Sequence, residues 1–265
     1  MHVRPHSLLN AADIEACPAW LCPARRSHDA RHLARARWLL RRKHDGRYLA
    51  AAGDNGITGL MPDWQRTPGI VTLLDRLDER LPRDPAATLP LHRLQQRLDL
   101  LGIDAETYAT DSGLALEPEP ARLQLAGFDR YSRPLWLRRD AARAWQAMHM
   151  AALRDGVPLD AISGYRSHDY QLGIFARKQA RGLSVSDILS VNAAPGFSEH
   201  HGGRALDIGT PGEPPAEESF ENTVAFRWLM DNAAAFGFHL SYPRGNRHGI
   251  VYEPWHWCWR SAPLS

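Results

Sequence analysis

The chain has 265 residues, 44% hydrophobic and 23% charged, which is ordinary globular usage and excludes wholesale disorder or a fibrous repeat. Its 32 Lys and Arg against 30 Asp and Glu leave a formal charge of +2, too even for a global nucleic-acid or membrane-surface binder. Three cysteines cannot build a disulfide scaffold, and at least one thiol stays unpaired.

Met1–Asn10 has no continuous apolar core and Asp13 and Glu15 follow at once, so no secretory signal is visible. No run approaches the roughly eighteen apolar residues of a transmembrane helix, and none is expected. Arg25 to Arg47 carries nine basic residues against Asp29 and Asp45, with Leu33, Ala36, Trp38, Leu39 and Leu40 interleaved. It reads as a basic amphipathic helix, its charges facing water or contacting an anionic polymer. Further helices are expected over Ile70–Leu81, stopped by Pro82, and Leu91–Leu101, stopped by Gly102. The Glu117-Pro118-Glu119-Pro120 run is a turn or linker. It divides the chain into a mainly helical N-terminal region, residues 1–121, and a second domain, residues 122–265.

In the second half helices and short strands mix. Arg138–Arg154 is a helix with Ala141, Trp145, Met148 and Ala152 on one stripe. Leu159–Ser163 is a strand, and Ser167 caps a helix running to about Arg181. Residues 204–208 are a strand, Ser219 caps a helix closed by Gly237, and Phe238–Tyr242 and Gly249–Trp259 supply the last strands. Uneven mixing of this kind points to an α+β fold rather than a doubly wound sheet.

Polar chemistry concentrates in three segments: Ser163-Gly164-Tyr165-Arg166-Ser167 with Gln171, Ser198 through Asp207, and Glu253-Pro254-Trp255-His256-Trp257. A cation that activates water needs a few N and O ligands and an open position. Two imidazoles and a carboxylate leave it net positive. His200 and Asp207 are candidate ligands, with Gly202-Gly203 between them to fold the chain back. His256 is the third, although His201, His239 and His248 compete. In an extended segment Trp255, Trp257 and Trp259 share one face and His256 and Cys258 the other. Glu253 breaks that parity unless Pro254 makes a kink. Cys258 is read as a buried thiol rather than a ligand. Cys17, Cys22, His28 and His32 form a second candidate metal set, at a spacing far shorter than zinc fingers use.

The Ser-x-His and Gly-x-Ala-x-Asp pattern ending at Asp207, followed by Glu253-Pro-Trp-His256 and preceded by Ser-Gly-Tyr-Arg-Ser, resembles the zinc D,D-carboxypeptidases and D-Ala-D-Ala dipeptidases of peptidoglycan metabolism. The likeness covers about residues 125–265 and implies a small antiparallel sheet flanked by helices, the fold shared with the hedgehog signalling domain. It implies one zinc ion on His200, Asp207 and His256, with Glu253 as general base and Arg166 polarising the scissile carbonyl. Ser198, Gln171 and Ser167 would hold the substrate end. Taken as ordinary residues, Arg166 would be a salt bridge to Asp160 or Asp169 and Gln171 a surface or capping amide. Arg204 departs from the family pattern and would add a cation for an anionic substrate.

The implied activity is removal of a C-terminal D-alanine from a peptidoglycan peptide or precursor through a metal-activated water. An L,D-carboxypeptidase or a peptidoglycan endopeptidase would use the same residues. Two His and one carboxylate are also the facial triad of non-haem iron oxygenases. An inactive muropeptide-binding module is the remaining reading. The compartment stays open: no export signal is visible, whereas the implied substrate belongs to the cell envelope.

Overall fold

The structure, a computed structural model, describes residues 4–24, 27–78, 84, 86–91 and 93–261, with side chains from residue 30 onward after the 25–26 gap. The chain forms two units, Met1–His92 with Glu119–Leu125, and Arg93–Pro118 with Ala126–Ser265.

The first unit is built on strands, where the sequence suggests helices. β1 (Ser7–Asn10), β2 (Ile14–Pro18), β3 (Trp38–Arg42), β4 (Tyr48–Gly53), β5 (Gly56–Gly59) and β6 (Arg122–Phe128) lie in the order β5-β4-β3-β2-β1-β6, antiparallel throughout. Its only α-helices among the described residues are α1 (Ser27–Leu33) and α2 (Ile70–Leu77), beside two short 3-10 turns. The expectation of a mainly helical N-terminal region is therefore corrected, and so is the single amphipathic helix over Arg25–Arg47. Arg25 and Arg26 lie outside the described residues. The segment after them begins as α1 but continues as β3. The apolar spacing from Leu33 to Leu40 fits a helix by period. Leu39 and Leu40 instead stand opposite Cys17 and Ala16 on one side and Ala51 and Ala50 on the other. Burying both faces of that strand outweighs local helix propensity. Two turn signals mark the hairpins: Asp45-Gly46 between β3 and β4, and Asp54-Asn55 before Gly56 between β4 and β5. α2 covers the first turns of the expected Ile70–Leu81 helix; residues 79–83 lie outside the described set.

In the second unit α3 (Leu94–Asp99) and α4 (Ala105–Ser112) precede β7 (Pro134–Leu137) and α5 (Arg139–Arg154). Then come β8 (Asp160–Ser163), α6 (His168–Gln179), α7 (Val185–Leu189), β9 (Ala205–Gly209), α8 (Val224–Asn232), β10 (Phe238–Leu240) and β11 (His256–Trp259). β10-β11-β9-β8 form a four-stranded antiparallel sheet. This is the expected α+β arrangement. The α5 stripe of Ala141, Trp145, Met148 and Ala152 packs in one core with Leu206, Ile208, Phe220, Leu229, Phe238 and Trp257. A second core gathers Leu94 and Leu98 of α3 with Phe175, Phe197 and Ile188. Each fully buried Phe contributes on the order of 1.5–3 kcal/mol.

The caps follow the sequence in part. Ser167 caps α6 by accepting a hydrogen bond from the Tyr170 N–H at 3.1 Å, as expected. Ser219 does not cap α8; it lies in a 3-10 turn over Glu218–Asn222, and Thr223 caps the helix through the Phe226 N–H. The expected strand over Gly249–Trp259 is short, because residues 249–255 form no strand and only His256–Trp259 do, with His256–Cys258 paired to β9.

Candidate metal centre

The β9–β11 register fixes the heart of the site. His256 stands directly opposite Asp207, with Trp257 opposite Leu206. Alternation then sends His256 and Asp207 to one face of the sheet and Leu206 and Trp257 into the core on the other. Trp255 and Trp259 pack against that same core, as the Trp periodicity requires.

His200 arrives from a turn. The Gly203 N–H bonds the His200 carbonyl at 3.1 Å, and Gly203 adopts φ +65°, a conformation glycine reaches without strain. A Cβ on Gly202 would lie 2.5 Å from a Glu117 carboxylate oxygen, so that side chain would have to shift to admit one. The Arg166 N–H reaches the His200 carbonyl at 3.3 Å, which ties the Ser163–Ser167 segment to the turn.

Donor atoms of His200, Asp207 and His256 lie within 4.8 Å of one another, and all three side chains are buried. His200 Nε2 is 3.2 Å and His256 Nδ1 3.1 Å from Asp207 Oδ1. Each ring is tied at its other nitrogen: His200 Nδ1 to the Gly164 carbonyl at 2.7 Å, His256 Nε2 to Glu199 Oε2 at 3.0 Å. Apart from that 3.2 Å ionic contact with Asp207, buried His200 Nε2 has no hydrogen-bond partner. Such an orphan carries a desolvation cost of about 1–3 kcal/mol unless something binds it. Two imidazole nitrogens and a carboxylate oxygen are a donor set that zinc accepts. The residues present therefore fit a single divalent ion.

The surrounding charges act differently on the three groups. Burial, aided by the Arg166 charge, pushes His200 down to about 4, so its ring is neutral and its lone pair available. Burial alone would raise Asp207, yet His200 and Arg166 hold it well below the usual carboxylate range. Burial also opposes charge on His256, but the carboxylates of Asp207 and Glu199 on its two sides push it up to about 10.

Glu253 reaches the cluster through a turn. The His256 N–H bonds the Glu253 carbonyl at 3.1 Å around Pro254, the kink that the alternation calls for. Its carboxylate comes to 3.9 Å from His256 Nδ1. Burial, with His256 opposing and Asp207 reinforcing, raises it to about 7. Arg166 pairs with Asp207, Nη2 to Oδ2 at 3.0 Å, rather than with Asp160 or Asp169; Asp169 binds Arg97. Arg166 Nε is buried and has no partner.

The remaining residues sort unevenly. Ser167 accepts its capping bond and keeps its own O–H to donate. Ser198 is buried beside the His200 turn. Gln171 is not a surface amide: it is buried, its Nε2 donates to the Ala193 carbonyl at 2.8 Å, and its Oε1 has no partner. Arg204 turns to Glu117 in an ion pair, so its charge is taken up within the protein. Among the competing histidines, His201 Nδ1 bonds the Arg166 carbonyl, His248 Nδ1 bonds the Ser112 carbonyl, and His239 is exposed. Cys258 is buried, and its surroundings push the thiol upward, away from a ligating thiolate. Cys17, Cys22 and His32 form no metal-holding group among the described residues, and the side chain of His28 lies outside them.

A family model described as VanY, D-alanyl-D-alanine carboxypeptidase, matches residues 134–262. Residues 134–262 are therefore similar to the VanY family. Similar proteins include the putative carboxypeptidase YodJ of Bacillus subtilis (strain 168), 33% identical over 63% of this chain and 62% of the relative. A D-alanyl-D-alanine carboxypeptidase of Enterococcus faecium is 30% identical over 49% of this chain and 39% of its own length. The chain thus spans less than two thirds of either relative. Among solved structures, VanYB in complex with D-alanine-D-alanine is 30% identical over 50% of this chain and 75% of that chain, at a TM-score of 0.42.

The matched stretch contains all eight site residues expected from the sequence. A residue bonded to the cluster escaped that reading: Glu199, the unassigned position between Ser198 and His200. Its partner His256 lies 57 residues away, and nothing local marks the pairing.

Proposed function

We propose that the protein is a zinc-dependent D-alanyl-D-alanine carboxypeptidase acting on peptidoglycan peptides or their precursors. The observation that carries this reading is the convergence of His200 Nε2, Asp207 Oδ1 and His256 Nδ1 beside the Glu253 carboxylate. Zinc held there would supply Lewis-acid polarisation of the scissile carbonyl and acidify a water.

The chain's own groups supply the rest. Glu253, raised to about 7, is poised near neutral pH to take the proton of the attacking water and hand it to the leaving amine. Arg166 is a permanent cation anchored by one Nη on Asp207 with Nε unspent, so its remaining donors can meet charge that develops on the carbonyl oxygen. The Ser167 hydroxyl proton and Ser198 are the groups offered to the substrate's terminal carboxylate. Gln171 would present its unpaired Oε1 to a substrate N–H. The Glu253–His256 arrangement supports hydrolysis over the facial-triad oxygenase, which has no use for a carboxylate base at that position.

The test is release of D-alanine from a peptide ending in D-Ala-D-Ala by the zinc-loaded full chain, followed by mass analysis of digested muropeptides. Loss of one terminal D-alanine supports the reading. Cleavage only after an L-residue, or only within a cross-link, would move the activity to an L,D-carboxypeptidase or an endopeptidase. Zinc loading with no cleavage at all would leave a muropeptide-binding module.

A further inference from the structure

Both rings at the centre are held at the nitrogen that faces away from Asp207, but by unlike partners. His200 is held by a neutral backbone carbonyl, that of Gly164, and His256 by a full carboxylate, that of Glu199. Glu199 is also held from a second side: its side chain is 16% exposed and its Oε1 lies 3.8 Å from the Arg260 guanidinium. The His256 ring is also wedged against other rings, with the Tyr242 ring centre 4.8 Å away and that of His200 4.9 Å away. The ring plane is thus set by packing, and what remains to be set is which of the two nitrogens, each facing a carboxylate, gives up its proton when a cation binds.

We propose that Glu199 is a positioning residue of the metal site: by accepting the Nε2–H of His256 it fixes the tautomer whose Nδ1 lone pair faces Asp207 and His200. The inference rests on the reading that those three residues hold zinc. Two effects follow. The ring is ready to ligate without choosing between tautomers, and the carboxylate pushes electron density onto the imidazole, strengthening it as a donor. Glu199 meets the donor cluster through His256 Nε2, so its effect on the site passes through that ring.

Removing a partner of this kind weakens metal affinity by about 10- to 100-fold. The experiment is zinc titration of the full chain against a competing chelator for wild type, Glu199→Ala and Glu199→Gln, with nitrogen-15 NMR of the zinc-loaded proteins to read which His256 nitrogen is protonated. Glu199→Ala is expected to lose about 10- to 100-fold in zinc affinity and the protected Nε2–H signal. Glu199→Gln keeps the shape and an amide oxygen that accepts the same N–H, so it should keep the Nε2–H tautomer yet bind zinc more weakly than wild type. It also decides the matter if the Ala variant does not fold. Wild-type affinity in the Gln variant, or a wild-type protein whose zinc sits on Nε2, overturns the inference while the metal site stands. A wild-type chain that takes up no zinc at all refutes the metal reading instead.

Discussion

Each unit buries an ionic cluster, and the two clusters are built to opposite ends. In the first unit Lys43 donates to the Ala11 carbonyl at 2.6 Å and to Glu119, and Glu119 also accepts from the Asn10 amide. The pair is almost wholly buried, at 1% and 5% exposure, and it closes on itself. In the second unit His200 Nε2, Arg166 Nε and Gln171 Oε1 are buried with no partner, around an aspartate that already faces two imidazoles and a guanidinium. A buried polar group left unpaired costs stability, so a fold that keeps several in one place holds them for something that binds. Burial of charge does not distinguish structure from function here; the gathering of unspent donors and acceptors around one aspartate does.

That contrast can be broken from either side. The largest effect expected is on turnover: Glu253→Gln should lower kcat by about 10³-fold, the scale of a lost general base, with zinc affinity retained. Turnover close to wild type in that variant would remove Glu253 from the chemistry. Arg166→Ala should cost about 10²- to 10³-fold in kcat, the range for a missing oxyanion donor; an effect confined to KM would make Arg166 a substrate anchor instead.

On the structural side, Lys43→Met strands the Glu119 carboxylate in the interior and should cost about 3–5 kcal/mol of stability in denaturant unfolding, with zinc affinity unchanged. The double variant Lys43→Met/Glu119→Leu should recover most of it, since the pair can be replaced by apolar side chains of similar bulk. A single variant that unfolds like wild type would show that this cluster is not the closed structural pair described.

The smallest effect has the opposite sign. Glu253 sits at about 7 in the folded chain against an ordinary 4.5. Across that window the metal-free folded protein holds a proton that the unfolded chain has released, so stability falls as pH rises and the loss is complete above about 7. Glu253→Gln carries no such charge and should be more stable than wild type by about 2–3 kcal/mol at pH 8 without metal, with the gain vanishing near pH 4. For the same reason kcat/KM should fall on the acid side as Glu253 takes up its proton, at or below pH 7, because a bound cation lowers that carboxyl further. An acid limb well above pH 7 would assign the essential base to another group.

The site was far more legible than the first unit's fold. His200, Asp207 and His256 carry chemistry by residue type and stand in motifs whose spacing a strand pair and a glycine turn can satisfy. Asp207 and His256 are even cross-strand neighbours. Glu199 was not legible, because its meaning lies in a contact across the fold. Arg166 pairing with Asp207 rather than a nearby acid has the same cause. The strands of residues 7–59 were missed for another reason. Leu39 and Leu40 satisfy a helical period as well as a buried strand, and only the Asp45-Gly46 and Asp54-Asn55 turns argue for hairpins. Two short helices went unread although their local signals are present. Asp104 caps α4 through the Thr107 N–H, and Ser184 with Asp187 forms a capping box on α7.

The central claim is that one cation sits between two imidazoles and an aspartate. Zinc K-edge X-ray absorption on the metal-loaded full chain measures this directly. The account predicts one zinc per chain with two imidazole shells at about 2.0–2.1 Å, oxygen in the remaining positions and no sulfur. A sulfur shell near 2.3 Å, or a single imidazole, would contradict it.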